Sequence, residues 1–345
     1  MIDGIKPLAS SALKGLKVVP IPLFLLAAMI LTFSLISDRY LTVPNAMNVI
    51  VQTASGIGII ALASYLAICS TGVDLSLGAT VSFAGMTAAR VMSLDSMAYL
   101  RENNSFLLVL IAILAALAVG AMIGAINGII LSKTNIPSFI ATLGTFLVAE
   151  TLSRVVSGGG TIRVTDPLFA QIGGGSIISV PIGTRMIGIL PYSMLIMLGI
   201  YLIFNIVMKR TRFGTNIYAM GGNYEAARLS GINVDATRFK VFVINGILAA
   251  IVGIILTSRL TAASAQNGLG LEFEGIAAAV VGGAAMAGGK STPWSTLIGA
   301  FIIAAMRNGF NIIGVPSSWQ MIFIGLVLIL IVSIDATRSG GGAKS

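Results

Sequence analysis

The chain contains no histidine, and cysteine occurs once, at Cys69. Structural zinc sites, disulfide frameworks and Cys/His catalytic pairs all need more than a single thiol, so each is excluded. Charge is scarce as well. Asp, Glu, Lys and Arg make up 10% of the 345 residues, against about 25% in soluble globular proteins. A soluble fold so poor in charge cannot cover its surface with polar groups. Hydrophobic residues are 56% and mean hydropathy is +0.98, so there is ample apolar surface to bury and disorder is excluded too. Length alone would suggest two soluble domains. Composition replaces them with an all-α, polytopic membrane protein.

A hydrocarbon core of about 30 Å needs roughly 20 apolar residues per helix. Ten runs meet or approach that length: 20–37, 48–70, 75–92, 106–132, 138–156, 189–208, 239–260, 272–288, 293–313 and 318–335. The third and eighth are short. Transmembrane strands would instead show about ten residues of alternation. Lys6, Lys14 and Lys17 precede the first run as in a signal peptide, but no small-x-small cleavage site follows, so it reads as an uncleaved span. This divides the chain into an amino-terminal segment 1–19, a transmembrane domain 20–335 and a tail 336–345.

The net charge of +9 carries no basic stripe with interleaved aromatics, so nucleic acid is not indicated. The basic residues instead set orientation. With both termini cytoplasmic, 13 of the 21 Lys and Arg fall inside, among them Lys133, Lys209, Arg210, Arg212, Arg228, Arg238, Lys240 and Lys290. The longest cytoplasmic segment is then 209–238, and a long external one spans 157–188.

An internal echo runs through the chain. Asn127-Gly128 followed by Pro137 matches Asn308-Gly309 followed by Pro316, and Gly72-Val73-Asp74-Leu75-Ser76 matches Gly270-Leu271-Glu272-Phe273-Glu274. The members of each pair stand five helices apart, so the copies face opposite ways. That predicts an inverted repeat, spans one to five against six to ten. Gly120, Gly124 and Gly128 form a double G-x-x-x-G, which reads as close helix packing or as a gate helix.

Asp74, Glu272 and Glu274 stand at the amino-terminal ends of short helices, where the helix dipole favours a carboxylate. Capping explains them, and so does a place beside a permeation path. Glu150 and Arg154 have the spacing and order of an i,i+4 ion pair. Residues 284–291, Ala-Ala-Met-Ala-Gly-Gly-Lys-Ser, imitate a nucleotide-binding loop, but apolar spans flank them where a soluble strand–loop–helix unit is required.

The cytoplasmic segment is the informative one. Gly221-Gly222-Asn223 is a turn with a helix cap, Glu225 suits a first helical turn, and Gly231 ends the helix. Two turns of helix are not stable alone and need a partner surface.

The run Arg212-Phe213-Gly214, Ala219-Met220-Gly221-Gly222-Asn223 and Glu225-Ala226-Ala227-Arg228-Leu229-Ser230-Gly231-Ile232-Asn233-Val234 resembles the coupling loop of permease subunits of ribose-type monosaccharide ABC importers. So do Gly72–Gly78, Asn127-Gly128 with Phe139–Thr145, and Asn308-Gly309 with Trp319-Gln320. The resemblance implies a non-catalytic permease of a bacterial inner membrane, without a cofactor. It also implies a second permease copy or paralogue, two ATPase subunits on the loop and an external solute-binding protein. Coupling then falls to Gly222, Asn223, Glu225, Ala226, Ala227, Arg228 and Gly231. Candidates for the translocation path are Asp74, Ser76, Asn127, Glu272, Glu274 and Asn308. Glu274 departs from the Asp common in relatives, and Gly289-Lys290-Ser291-Thr292 from their Gly-x-Gly-Thr. An ion-coupled transporter using Asp74 or Glu150 is the alternative.

Overall fold

The computed structural model describes residues 21–182, 185–284 and 291–340. The amino-terminal segment 1–19 and most of the nucleotide-like motif, including Lys290, lie outside them. Helices dominate: α1 (Ile21–Ile36), α2 (Gln52–Cys69), α3 (Leu77–Ser93), α4 (Ser105–Lys133), α5 (Ser138–Ser157), α6 (Pro167–Gly174), α7 (Tyr192–Arg210), α8 (Arg212–Gly222), α9 (Tyr224–Leu229), α10 (Val234–Leu260), α11 (Leu271–Val281), α12 (Pro293–Ile312) and α13 (Ser317–Gly340). Among the described residues, α4, α5, α7 and α10 are long and apolar enough to cross a membrane by length and composition.

Each apolar run holds a helix, but the ends differ from the hydropathy reading. α11 stops at Val281, well short of the expected 288. Gly283 turns the chain there with φ +97°, a left-handed conformation that residues with a side chain resist. Hydropathy missed this because the apolar run continues past the turn. The segment 157–188 is also more structured than a loop. It holds β1 (Ile162–Arg163), α6, and a hairpin of β2 (Ser179–Ile182) with β3 (Arg185–Gly188). β1 pairs antiparallel with β4 (Ala262–Ala263), joining the segment to the end of α10.

Helix packing repeats itself. α3 packs against α4, α5 and α10, while α11 packs against α12, α13 and α2. Exchanging the first five apolar helices (α1 to α5) for the last five (α7, α10, α11, α12 and α13) turns one set of neighbours into the other. This correspondence supports the two-copy organisation expected from the sequence echo.

Glycine sets the closest approach. A Cβ on Gly120 would overlap the Gly246 carbonyl, one on Gly124 the Phe242 carbonyl, and one on Gly128 the Phe239 backbone. The double G-x-x-x-G is therefore the seam between α4 and α10, backbone against backbone. Lipid gives helices no hydrophobic reason to associate, so close contact of this kind supplies the attraction. The opposite faces carry exposed Leu110, Leu114 and Met122 on α4 and Phe139, Leu143 and Leu147 on α5.

Candidate functional site

The chain leaves α2 at Cys69 and begins α3 only at Leu77. The intervening backbone is unwound inside the bundle, where its donors have no water to bond. One face of α5 supplies the partners. Ser138 Oγ accepts from Val73 N at 2.9 Å, and Thr142 Oγ1 accepts from Leu75 N at 3.1 Å. Thr145, one turn further on, donates to Asn127 Oδ1 at 2.6 Å. Ser138, Thr142 and Thr145 follow i, i+4, i+7 spacing, a periodicity visible in the sequence that had no assigned role.

Asp74 lies within this unwound segment and is 2% exposed. Its Oδ1 accepts from Ser76 N at 3.1 Å and Ser76 Oγ at 2.6 Å, and its Oδ2 accepts from Asn245 Nδ2 at 3.3 Å. Asn127 Nδ2 donates to Ser76 Oγ at 2.9 Å. Asp74, Ser76 and Asn127 therefore form one buried polar cluster with Thr145 and Asn245. Asn245, on α10, had no sequence signal beyond being a polar residue in an apolar run. The Asp74 carboxylate bonds the backbone one residue before the helix instead of capping its first turn.

The second short helix begins at the same place. The Glu272 carboxylate accepts from Gly270 N at 3.1 Å to each oxygen. A Cβ on Gly78 would overlap Glu272 Oε2 and the Gly268 carbonyl. The start of α3 thus rests on the start of α11, with Glu272 between two helix amino-terminal ends, the arrangement that stabilises negative charge. Glu274 points elsewhere. Arg307 Nη1 on α12 donates to its two oxygens at 2.8 and 3.0 Å.

Asn308 does not join the Asn127 cluster, although the sequence echo pairs them. It exchanges amide hydrogen bonds with Asn45 at 2.9 and 3.0 Å. The echo preserves residue type but not partner: Asn127 bonds Ser76 and Thr145, whereas Asn308 bonds the segment before α2. Glu150 and Arg154 form the expected i,i+4 ion pair on α5. Cavities of about 420 and 440 Å³ lie elsewhere, the first lined by Arg101, Arg163 and Asp166, the second by Gln171, Ser179 and Tyr192.

The 209–238 segment folds as two helices. Thr211 caps α8, accepting from Gly214 N, and Asn223 Oδ1 caps α9, accepting from Ala226 N at 2.9 Å. Gly231 closes α9 with φ +85°, as Ile232 N donates back to Ala227 O at 3.2 Å. The expectation that α9 needs a foreign surface to persist is corrected here. Ala227 packs with Met220 and Val234 in a small core of the chain's own residues. Arg238 lies 4.8 Å over the Tyr224 ring and donates to Leu131 O, tying the segment to α4. The outer face of α9 presents Glu225, Ala226, Arg228 and Leu229, the last 84% exposed.

Comparison with known proteins agrees with this architecture. Residues 45–332 match the family model described as the branched-chain amino acid transport system / permease component. The ribose import permease protein RbsC of Escherichia coli (strain K12) is 36% identical over 317 residues, 91% of this chain and 92% of that protein. The D-allose transport system permease protein AlsC of the same organism is 33% identical, covering 90% of each chain. The xylose transport system permease protein XylH, again from that organism, is 32% identical, covering 95% of each. No solved structure matches the chain. With its apolar helix bundle, its polar unwound segment and a family match across most of its length, the chain belongs to this permease family and is the transmembrane subunit of an ATP-driven importer.

Proposed function

We propose that the solute is a sugar or a similar small polar molecule, that the chain works beside a second permease copy or paralogue, and that two ATPase subunits drive it from the cytoplasmic side. An external binding protein delivers the solute, and both termini are cytoplasmic. The relatives named for ribose, allose and xylose support the solute class. The path runs past the meeting point of α3 and α11, where Asp74, Ser76, Asn127 and Glu272 gather carboxylate, hydroxyl and amide groups suited to a polyhydroxylated solute. Half-helix ends at a repeat interface are a recurrent way to build such a site.

The observation that carries the ATPase assignment is the outer face of α9. It is a pre-folded, doubly capped helix with Leu229 standing clear of the protein. Because Ala227 faces inward, substituting it tests the fold of the segment and not the docking surface. Leu229→Asp is the sharper variant. Co-expressed with the ATPase subunits of its transport system, this variant should insert and fold normally, lose the ATPase on purification and lose import. Full import together with a retained ATPase would show that α9 is only a connector.

A further inference from the structure

Besides the Arg238–Leu131 bond, the 209–238 segment is tied to the membrane helices by a cluster of three contacts made by two tyrosine hydroxyls. Tyr218 on α8 and Tyr65 on α2 place their hydroxyl oxygens 2.6 Å apart. Each also donates toward the Ser291 carbonyl, from 3.0 Å and 3.1 Å respectively. Ser291 immediately precedes Thr292, the cap of α12. Three elements distant in sequence therefore meet on one carbonyl: α2, α8 and the start of α12. Tyr65 is fully buried. A few residues away, a Cβ on Gly221 would overlap the Cys69 carbonyl, so the end of α8 lies directly on the end of α2.

Two hydroxyl protons serve these three contacts, so only two bonds form at any moment. The carbonyl has two lone pairs and accepts from either ring. The junction therefore has three bonding patterns: either tyrosine donates to the other while that one donates to the carbonyl, or both donate to the carbonyl. It can pass among them by rotating O–H groups alone, without moving a helix. Such a junction stays closed while α8 shifts slightly, and it opens only when α8 leaves α2 altogether.

We propose that Tyr65 and Tyr218 are positioning residues that latch the ATPase-facing helix α8 to α2 and α12, so that displacement of α8 is delivered to both membrane helices as one movement. This rests on the reading that ATPase subunits dock on the α8–α9 segment. Neither tyrosine touches the proposed docking face of α9 or the polar cluster around Asp74. The roles of the two are unequal. Tyr65→Phe leaves Tyr218 bonded to Ser291, so α8 keeps one tie. Tyr218→Phe cuts α8 from both partners, while Tyr65 still holds Ser291.

The test uses the assembled complex in proteoliposomes with its ATPase and binding-protein partners, reading complex retention, ATP hydrolysis and solute imported per ATP. Tyr218→Phe should keep the complex and its ATP hydrolysis while import per ATP falls about fivefold, the factor set by loss of one hydrogen bond. Tyr65→Phe should fall less. A packing role predicts the reverse order, because Tyr65 is the more deeply buried ring. Gly221→Ala, which lifts α8 from α2 without removing a hydroxyl, should also lower import per ATP. Wild-type import per ATP in Tyr218→Phe, or a larger loss in Tyr65→Phe, would overturn the latch. Failure of the wild-type chain to bind ATPase would instead overturn the coupling assignment beneath it.

Discussion

The two short helices at the centre hold their carboxylates by different means. At the start of α3, Asp74 is surrounded by uncharged donors from its own segment and from α10. Among the described residues it has no ion-pair partner. At the start of α11, Glu274 receives both its bonds from the guanidinium of Arg307 on the neighbouring helix α12. The first arrangement spreads the compensation over three uncharged donors, and each contributes a little. The second concentrates the compensation in one cation. A site built from many weak partners degrades gradually when one is lost, whereas a paired site fails at once.

The largest expected effect follows at the paired end. Arg307→Ala leaves Glu274 as an unpaired carboxylate in a nearly closed environment. Breaking such a pair costs about 3 kcal/mol, the low end of the usual range because the arginine is itself partly exposed. The thermal midpoint of the purified protein should fall clearly, and Glu274→Gln combined with Arg307→Met should recover much of the loss. An unchanged midpoint in Arg307→Ala would mean that α11 is held by its glycine contacts instead.

A smaller effect belongs to the unwound segment. Thr142→Val keeps the shape of the side chain but removes the acceptor for Leu75 N, at a cost of about 2 kcal/mol for a buried donor left unmet. Equal midpoints for Thr142→Val and wild type would show that the segment finds another partner.

The smallest change in stability should come from Asp74→Asn. Asn245 Oδ1 has no partner among the described residues, so rotating that amide lets the side-chain amide introduced at position 74 donate to it. The cost should be about 1 kcal/mol. Transport should nonetheless be impaired while the ATPase stays bound, since the carboxyl group itself is gone. Dissociation of stability from transport at Asp74, and their joint loss at Arg307, is the pattern that would sharpen the contrast between the two helix starts.

Much of this was legible in the chain before any coordinates. The caps Asn223 and Gly231 declare α9 because they act within a few residues of themselves: a side-chain oxygen reaching forward to an amide, and a backbone angle open to glycine. The ion pair Glu150–Arg154 was readable for the same reason. Asp74, Glu272 and Glu274 announced themselves as charges in a chain that has few.

Partnership was not legible. The sequence echo pairs Asn127 with Asn308, yet Asn127 bonds Ser76 and Thr145 while Asn308 bonds Asn45. Nothing in the spacing connects Arg307 with Glu274, Asn245 with Asp74, or Tyr218 with Tyr65. Hydropathy also overran the end of α11, since a left-handed turn at Gly283 leaves no mark on an average over apolar residues.

Composition and local pattern were enough to settle the solvent, the helices and their caps. Composition decides whether water or lipid can cover a surface, and helix starts and stops are settled by groups a turn or less apart. Which polar groups satisfy one another is settled by the packing of the helices. In a dry interior each buried donor must find an acceptor, and which one it finds depends on how closely helices approach, here through glycines such as Gly78, Gly120 and Gly246, whose missing side chains let distant segments touch.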